Sequence, residues 1–345
     1  MKYTNLPNTN IKVSKICLGT MTFGEQNTEK EGHEQLDFAL DKGVNFVDTA
    51  EMYSVPGRKE TQGSTEKIIG SWIAKGNRDK IILATKIAGP SPGLSYIRDN
   101  MGFSKTAILD AIEKSLTRLQ TDYIDLYQLH WPVRKTNCFG VRNYRYFKDE
   151  QWEENFAEVV ETLNDLIKQG KIRHYGLSNE TPYGILRYLE EAKVKNLAQP
   201  ISIQNPYSLL NRTFEIGNAE IAIKKNIGLL AYSPLAFGIL SGKFLDGKKH
   251  PNSRVTLYPQ MGRYNSAEVE SVVVKYAAVA KKHQLNFAQM SLAFVNQQPF
   301  LTSNIIGATS LNQLKENIES IDITLSKEVL SDIEAVFVSQ PNPAP

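Results

Sequence analysis

The sequence predicts one closed (β/α)8 TIM barrel, and three observations carry that expectation. Short apolar runs rich in β-branched residues recur at fairly even spacing along the 345 residues. Stretches of helical periodicity lie between them. No break in composition marks a linker, so residues 1–345 read as a single domain. Strand-helix alternation implies a parallel sheet covered by helices, and eight such units close a barrel. Length alone would suggest two domains, but α/β barrels fill such lengths as one. An open doubly wound sheet is the alternative architecture.

The elements follow in order. Residues 1–13 are expected to form a β-hairpin that plugs the bottom of the barrel. Strands are expected at 16–18, 46–47, 81–84, 124–129, 172–177, 201–203, 229–231 and 305–306. Ile108, Ala111, Ile112, Leu116 and Leu119 recur every three or four residues, as do Val159, Val160, Leu163, Leu166 and Ile167. A third set is Val269, Val272, Val273, Tyr276 and Ala280. That period puts each set on one helix face, which must be buried. Thr181-Pro182 reads as an N-cap followed by a first-turn proline. Three segments break the alternation: 88–103, the aromatic stretch 131–155 and the Gly/Pro-containing stretch 237–267. They are long loops after strands 3, 4 and 7, and loops of that length in a compact domain are functional or disordered. Residues 341–345 read as a flexible tail.

Composition excludes several functions. The net charge is only +3, and no block of Lys or Arg stands out. Neither nucleic acid nor a membrane surface is therefore expected as a partner. No apolar stretch is long enough to span a bilayer. The start of the chain lacks the apolar core of a signal peptide, and two cysteines, Cys17 and Cys138, fit a reducing cytoplasm. No metal site is expected: His33-Glu34 begins a zincin-like pattern, but Asp37 stands where the second His belongs, and His174, His250 and His283 are isolated. No G-x-G-x-x-G follows a strand, and "GILSGKF" fails as a P-loop, with Phe237 and Phe244 at positions needing Gly and Ser/Thr.

In a barrel, chemistry gathers at the C-terminal ends of the strands. Those positions carry Gly19-Thr20, Asp48 with Tyr53 just beyond, Lys86, His130, Ser178-Asn179, Gln204-Asn205, Tyr232-Ser233 and Gly307-Ala308-Thr309. A Lys directly after an apolar strand needs a partner, because a lone buried ammonium is costly. Asp48 on the neighbouring strand is that partner. A free Tyr has a pKa near ~10, and an adjacent ammonium lowers it. The expected division of labour is that Asp48 holds Lys86, Lys86 lowers the pKa of Tyr53, and Tyr53 gives its proton to a developing alkoxide. His130 would orient the carbonyl or help relay a proton. Taken singly, each of the four also reads as an ordinary packing residue.

The stretches "LGTMTFGEQN", "VDTAEMY", "ATK", "DLYQLHWP", "GLSNE", "IQNPYSLLNR", "AYSPLAFGILSGKF" and "IIGATSLNQLKENI" resemble the aldo-keto reductases across essentially the whole chain. The potassium-channel β-subunits are a more distant part of that resemblance. It implies Asp48, Tyr53, Lys86 and His130 as a catalytic tetrad, NADPH as hydride source and an aldehyde or ketone as substrate. It further implies that Ser178, Asn179 and Gln204 hold the carboxamide and that Tyr232 stacks on the nicotinamide. Ser233, Leu235, Gly238 and Lys243 correspond to contacts along the pyrophosphate. Arg254 corresponds to the 2′-phosphate residue, with Arg263 as a rival. Thr309, Gln313, Glu316 and Asn317 match the adenosine end, and Thr20 and Gln26 match weaker contacts. Met21, Tyr53, His130 and Trp131 are the expected substrate pocket.

Two other functions stay open at this point. One is an NADP(H)-binding regulatory protein with little turnover, as the channel relatives suggest. The other is a Schiff-base aldolase using Lys86. Neither the physiological substrate nor the oligomeric state follows from the sequence.

Overall fold

Eight parallel strands close into a barrel in the computed structural model, which describes residues 1–345 apart from Gln151, Asp246, Lys248, Lys249, Gln260 and Met261. A two-stranded antiparallel hairpin, β1 (Tyr3–Asn5) and β2 (Lys12–Ser14), precedes them. The barrel strands are β3 (Ile16–Gly19), β4 (Phe46–Asp48), β5 (Ile82–Ile87), β6 (Ile124–Leu129), β7 (Ile172–Ser178), β8 (Ser202–Pro206), β9 (Gly228–Tyr232) and β10 (Leu301–Ile306). They pair in chain order, and β10 closes on β3.

The hairpin sits where the sequence places it. Leu6 and Val13 are buried with Cys17, Phe46, Ala84, Leu126 and Leu230 inside the barrel. Fully burying such a side chain contributes about 1.5–3 kcal/mol. Asn45 ties the hairpin to β4: its Oδ1 accepts from Ser14 N at 2.7 Å and its Nδ2 donates to Lys12 O at 2.9 Å.

Around the barrel lie α1 (Glu29–Asp41), α2 (Ser64–Ile73), α3 (Lys105–Leu119), α4 (Phe156–Lys168), α5 (Pro182–Val194), α6 (Phe214–Lys224), the short α7 (Arg254–Leu257), α8 (Ala267–Lys282), α9 (Phe287–Asn296), α10 (Leu311–Glu319) and α11 (Lys327–Ser339). The periodic faces of α3, α4 and α8 are buried against the sheet or neighbouring helices, as expected. Among the described residues, no helix is long and apolar enough to cross a membrane.

Two expectations need correction, and a third, the Thr181-Pro182 cap, holds in position with a different side-chain partner. The β10 strand starts at Leu301, four residues before the apolar pair that signals it. Two of its polar side chains find internal partners: Ser303 Oγ donates to Ser14 O at 2.9 Å and Asn304 Nδ2 to Asn296 Oδ1 at 2.9 Å. Thr181 is the N-cap residue of α5, with Pro182 in the first turn, but its side chain makes no capping bond and instead accepts from Arg134 Nη2 at 2.9 Å. The tail at 341–345 is docked rather than loose. Ala344 is buried and donates its N–H to Leu210 O at 3.1 Å, while Arg212 N donates to Asn342 Oδ1 at 2.7 Å. Arg142 and Arg263 donate to the carbonyls of Pro343 and Pro345.

Candidate active site

The strand register brings the polar strand ends to one rim. Asp48 pairs beside Gly19 and Ala84, Lys86 beside Gln128, and Ser178 beside Gln204. Asp48 and Lys86 are both buried. Lys86 Nζ donates to Asp48 Oδ2 at 2.6 Å and to Thr49 O at 2.8 Å. Its third direction faces the Tyr53 hydroxyl at 3.5 Å, the outer limit of a hydrogen bond. Asp48 Oδ1 accepts from Gln128 Nε2 at 3.0 Å and Gln204 Nε2 at 2.9 Å. A buried ion pair persists only when its remaining lone pairs and protons are satisfied, and here the carboxylate has three donors.

The charge states follow. Burial pulls the Lys86 pKa down, but Asp48 and then Tyr53 act against it, and the net displacement is upward. Lys86 therefore stays an ammonium. For Tyr53 the balance differs from the sequence-based expectation. Lys86 does pull its pKa down, but burial pushes it up by more, Asp48 adds to the rise, and the phenol ends above its ordinary value. Tyr53 is thus held protonated at neutral pH. Burial, with Lys86 second, holds His130 well below the ordinary imidazole range, so its ring is neutral.

His130 stands 5.8 Å from Tyr53 between ring centroids, nearly edge-on. Trp131 packs on the other side at 4.7 Å and is fixed by a 3.1 Å hydrogen bond from its Nε1 to Pro90 O. All the expected site residues except Lys86, which lies beneath the floor, line one cavity of about 1380 Å³ at this rim. Met21, Tyr53, His130 and Trp131 share its walls with Met52, Leu94, Phe139 and Phe147.

A second arm of the cavity runs past β7 and β9. Tyr232 donates its hydroxyl proton to Asn179 Oδ1 at 2.6 Å, and Asn179 Nδ2 donates to His130 O at 2.8 Å and Ser178 Oγ at 3.1 Å. Beyond Tyr232 the chain is left-handed at Ser233, Ala236, Phe237, Gly238 and Gly242. Such a coil lets the backbone approach a ligand closely. Two partly buried cations flank it. Among the described residues no carboxylate pairs with Lys243 or Arg254, and burial lowers the pKa of both. Among the described residues, the Arg254 side chain makes a 3.7 Å contact from Nη1 to Met21 Sδ and lies over the Phe237 ring. Its rival Arg263 is already engaged, donating from Nε to Pro345 O at 2.8 Å.

The far end carries Thr309, Gln313, Glu316 and Asn317. Gln313 Oε1 accepts from Thr309 N and Oγ1 at 3.0 and 3.1 Å, Glu316 Oε1 from Asn286 Nδ2 at 2.6 Å, and Asn317 Nδ2 donates to Gly307 O at 3.2 Å. Thr20 is engaged too, its Oγ1 donating to Asp48 O at 2.8 Å, and Gln26 Nε2 reaches Asn252 O at 3.3 Å. Sequence reasoning missed Gln128. Alternation along β6 was its signal, since Ile124, Leu126 and Gln128 share one face of the strand.

The chain matches the model of the aldo/keto reductase family over residues 15–337. It is 47% identical to "Protein tas" of Escherichia coli, with all of both chains covered. It is 34% identical to "Uncharacterized oxidoreductase YrpG" of Bacillus subtilis, covering 98% of this chain and 96% of the relative. A "Probable voltage-gated potassium channel subunit beta" of Arabidopsis thaliana is 30% identical, with 99% and 98% covered. On these matches and this barrel, the chain belongs to the aldo/keto reductase family and is an oxidoreductase.

Proposed function

We propose that the protein reduces aldehydes or ketones to alcohols with NADPH, Tyr53 supplying the proton. The observation that carries this reading is the Lys86 ammonium, held by Asp48 and facing the Tyr53 hydroxyl at the cavity wall.

The donor set fits the dinucleotide. Gln204 Nε2 is spent on Asp48 and Gln128, which leaves its Oε1 to accept from a carboxamide at the cavity wall. Tyr232 offers a ring face beside it. Among the described residues Lys243 and Arg254 have no counter-anion, and Arg254 is the better 2′-phosphate partner because Arg263 is committed to Pro345. When bound, the reduced nicotinamide supplies the hydride to the carbonyl carbon.

The protein's own part is the proton. As the C=O π bond breaks, charge develops on oxygen, and an alkoxide is far more basic than a phenolate. Tyr53 can therefore donate even with a raised pKa. Lys86 then stabilises the phenolate left behind, which is its main contribution. Neutral His130 donates a hydrogen bond to the carbonyl oxygen without competing for the charge. General acid assistance of this kind contributes about 10²–10⁴-fold. Trp131 and Met21 wall the pocket and favour flat or apolar carbonyl compounds. The two free thiols fit a reducing compartment, and we place the protein in the cytoplasm.

A regulatory NADP(H)-binding role is the second reading, prompted by the name of the plant relative. A neutral His130 at the cavity wall, able to donate to a carbonyl oxygen, favours turnover. The Schiff-base alternative suffers from the permanent charge on Lys86. The test is steady-state NADPH oxidation with a panel of aromatic and aliphatic aldehydes. The expected result is turnover that is flat between the ordinary His and Tyr values, about 6.5 and ~10, because His130 is neutral and Tyr53 protonated throughout. Tight NADPH binding without its oxidation by any carbonyl compound of the panel would favour the regulatory role instead.

A further inference from the structure

The segment after β5, residues 88–103, has so far supplied Pro90 O and the Leu94 wall, and another of its side chains anchors the turn that carries Tyr53. Arg98 is 8% exposed and forks onto Glu51, which is fully buried. Arg98 Nη1 donates to Glu51 Oε2 at 2.7 Å and Nη2 to Oε1 at 2.6 Å. Glu51 Oε1 also accepts from Ala88 N at 2.6 Å, and Arg98 Nη2 donates to Ala88 O at 3.1 Å. Glu51 N in turn donates to Lys86 O at 3.2 Å.

The chain positions of these groups give the pair its meaning. Glu51 lies two residues before Tyr53, in a turn closed by Tyr53 N to Ala50 O at 3.1 Å. Ala88 lies two residues after Lys86. Pro90, in the same segment as Arg98, accepts from Trp131, which packs on His130. One ion pair thus joins the turn that carries Tyr53 to Ala88 just beyond Lys86, and through the segment 88–103 it connects to Trp131 beside His130. We infer that Glu51 and Arg98 are positioning residues that set the spacing between the Tyr53 hydroxyl and the Lys86 ammonium and seat the segment 88–103 against Trp131.

Stability gives little reason for such a pair. Well-packed apolar residues often replace a buried ion pair at no cost. A guanidinium fork on a carboxylate fixes two distances and a plane at once, which an apolar contact does not. The Lys86–Tyr53 contact is at its outer limit, so a small drift of the turn breaks it. A displacement of about 1 Å at a catalytic group can cost ~10²-fold in rate.

The inference rests on the reductase reading, and the experiment separates the two. The variants are Arg98→Lys, which keeps the charge but loses the fork, and the double variant Glu51→Gln/Arg98→Met, which leaves no unpaired charge in the interior. NADPH binding is followed by fluorescence, and kcat and KM with a small aromatic aldehyde. The expected result is near-native NADPH affinity in both, with kcat lower by about 10² in the double variant and clearly reduced in Arg98→Lys. Should the double variant not fold, Arg98→Lys decides. Wild-type kcat in either folded variant overturns the positioning role. Wild-type protein that binds NADPH but reduces no carbonyl overturns the reductase reading and this inference with it.

Discussion

The floor of the cavity and its rim are built on opposite terms. At and beneath the floor, Asp48, Lys86, Gln128 and Gln204 are buried and joined by hydrogen bonds, and each charge has its counter-charge. At the rim, Lys243 and Arg254 have no carboxylate partner among the described residues, and burial depresses both. The floor is complete before any ligand arrives, as preorganised electrostatics require. Among the described residues the two rim cations have no counter-anion, and under the proposed function the ligand supplies it. A single fold thus separates chemistry, which needs fixed geometry, from binding, which draws on unmet charge.

That contrast predicts different failures. Lys86→Met should give the largest effect. It strands Asp48, so the protein should lose about 3–5 kcal/mol of stability in denaturant unfolding. It also removes the charge beside Tyr53, and kcat should fall by about 10²–10⁴. An active, fully stable Lys86→Met protein would mean that the floor is not a unit. Arg254→Ala should act only on binding. Loss of a hydrogen bond to a charged group, worth about 1.5–3 kcal/mol, corresponds to roughly 10–100-fold weaker NADPH binding by titration. NADH affinity and thermal stability should stay near wild type. Undiminished NADPH affinity in Arg254→Ala, with a loss in Arg263→Ala, would reassign the phosphate contact.

The same contrast marks what the sequence reveals. The eight strands were legible because their cores are short β-branched runs, and the strand ends were legible because polar residues there interrupt apolar pattern. The resemblance then assigned roles to the rim. What stayed hidden depends on partners distant in sequence. The polar stretch of β10 is Thr302-Ser303-Asn304, which looks like loop until the bonds of Ser303 to Ser14 and of Asn304 to Asn296 are known. Helix α9 is buried on nearly every side, so it has no polar stripe to reveal its period. The tail 341–345 reads as loose because its docking partners, Leu210, Arg212 and Arg263, lie 80 or more residues away. The sign of the Tyr53 displacement was misjudged because a neighbouring charge can be inferred from chain order, whereas depth of burial cannot.

The most direct test of the account is Tyr53→Phe, measured for NADPH binding and for carbonyl reduction in the same preparation. The phenyl ring keeps the shape of the wall and removes only the hydroxyl that carries the proton. Unchanged NADPH affinity with kcat reduced by at least about 10² is the predicted result. A phenylalanine variant that reduces the aldehyde at the wild-type rate would contradict it.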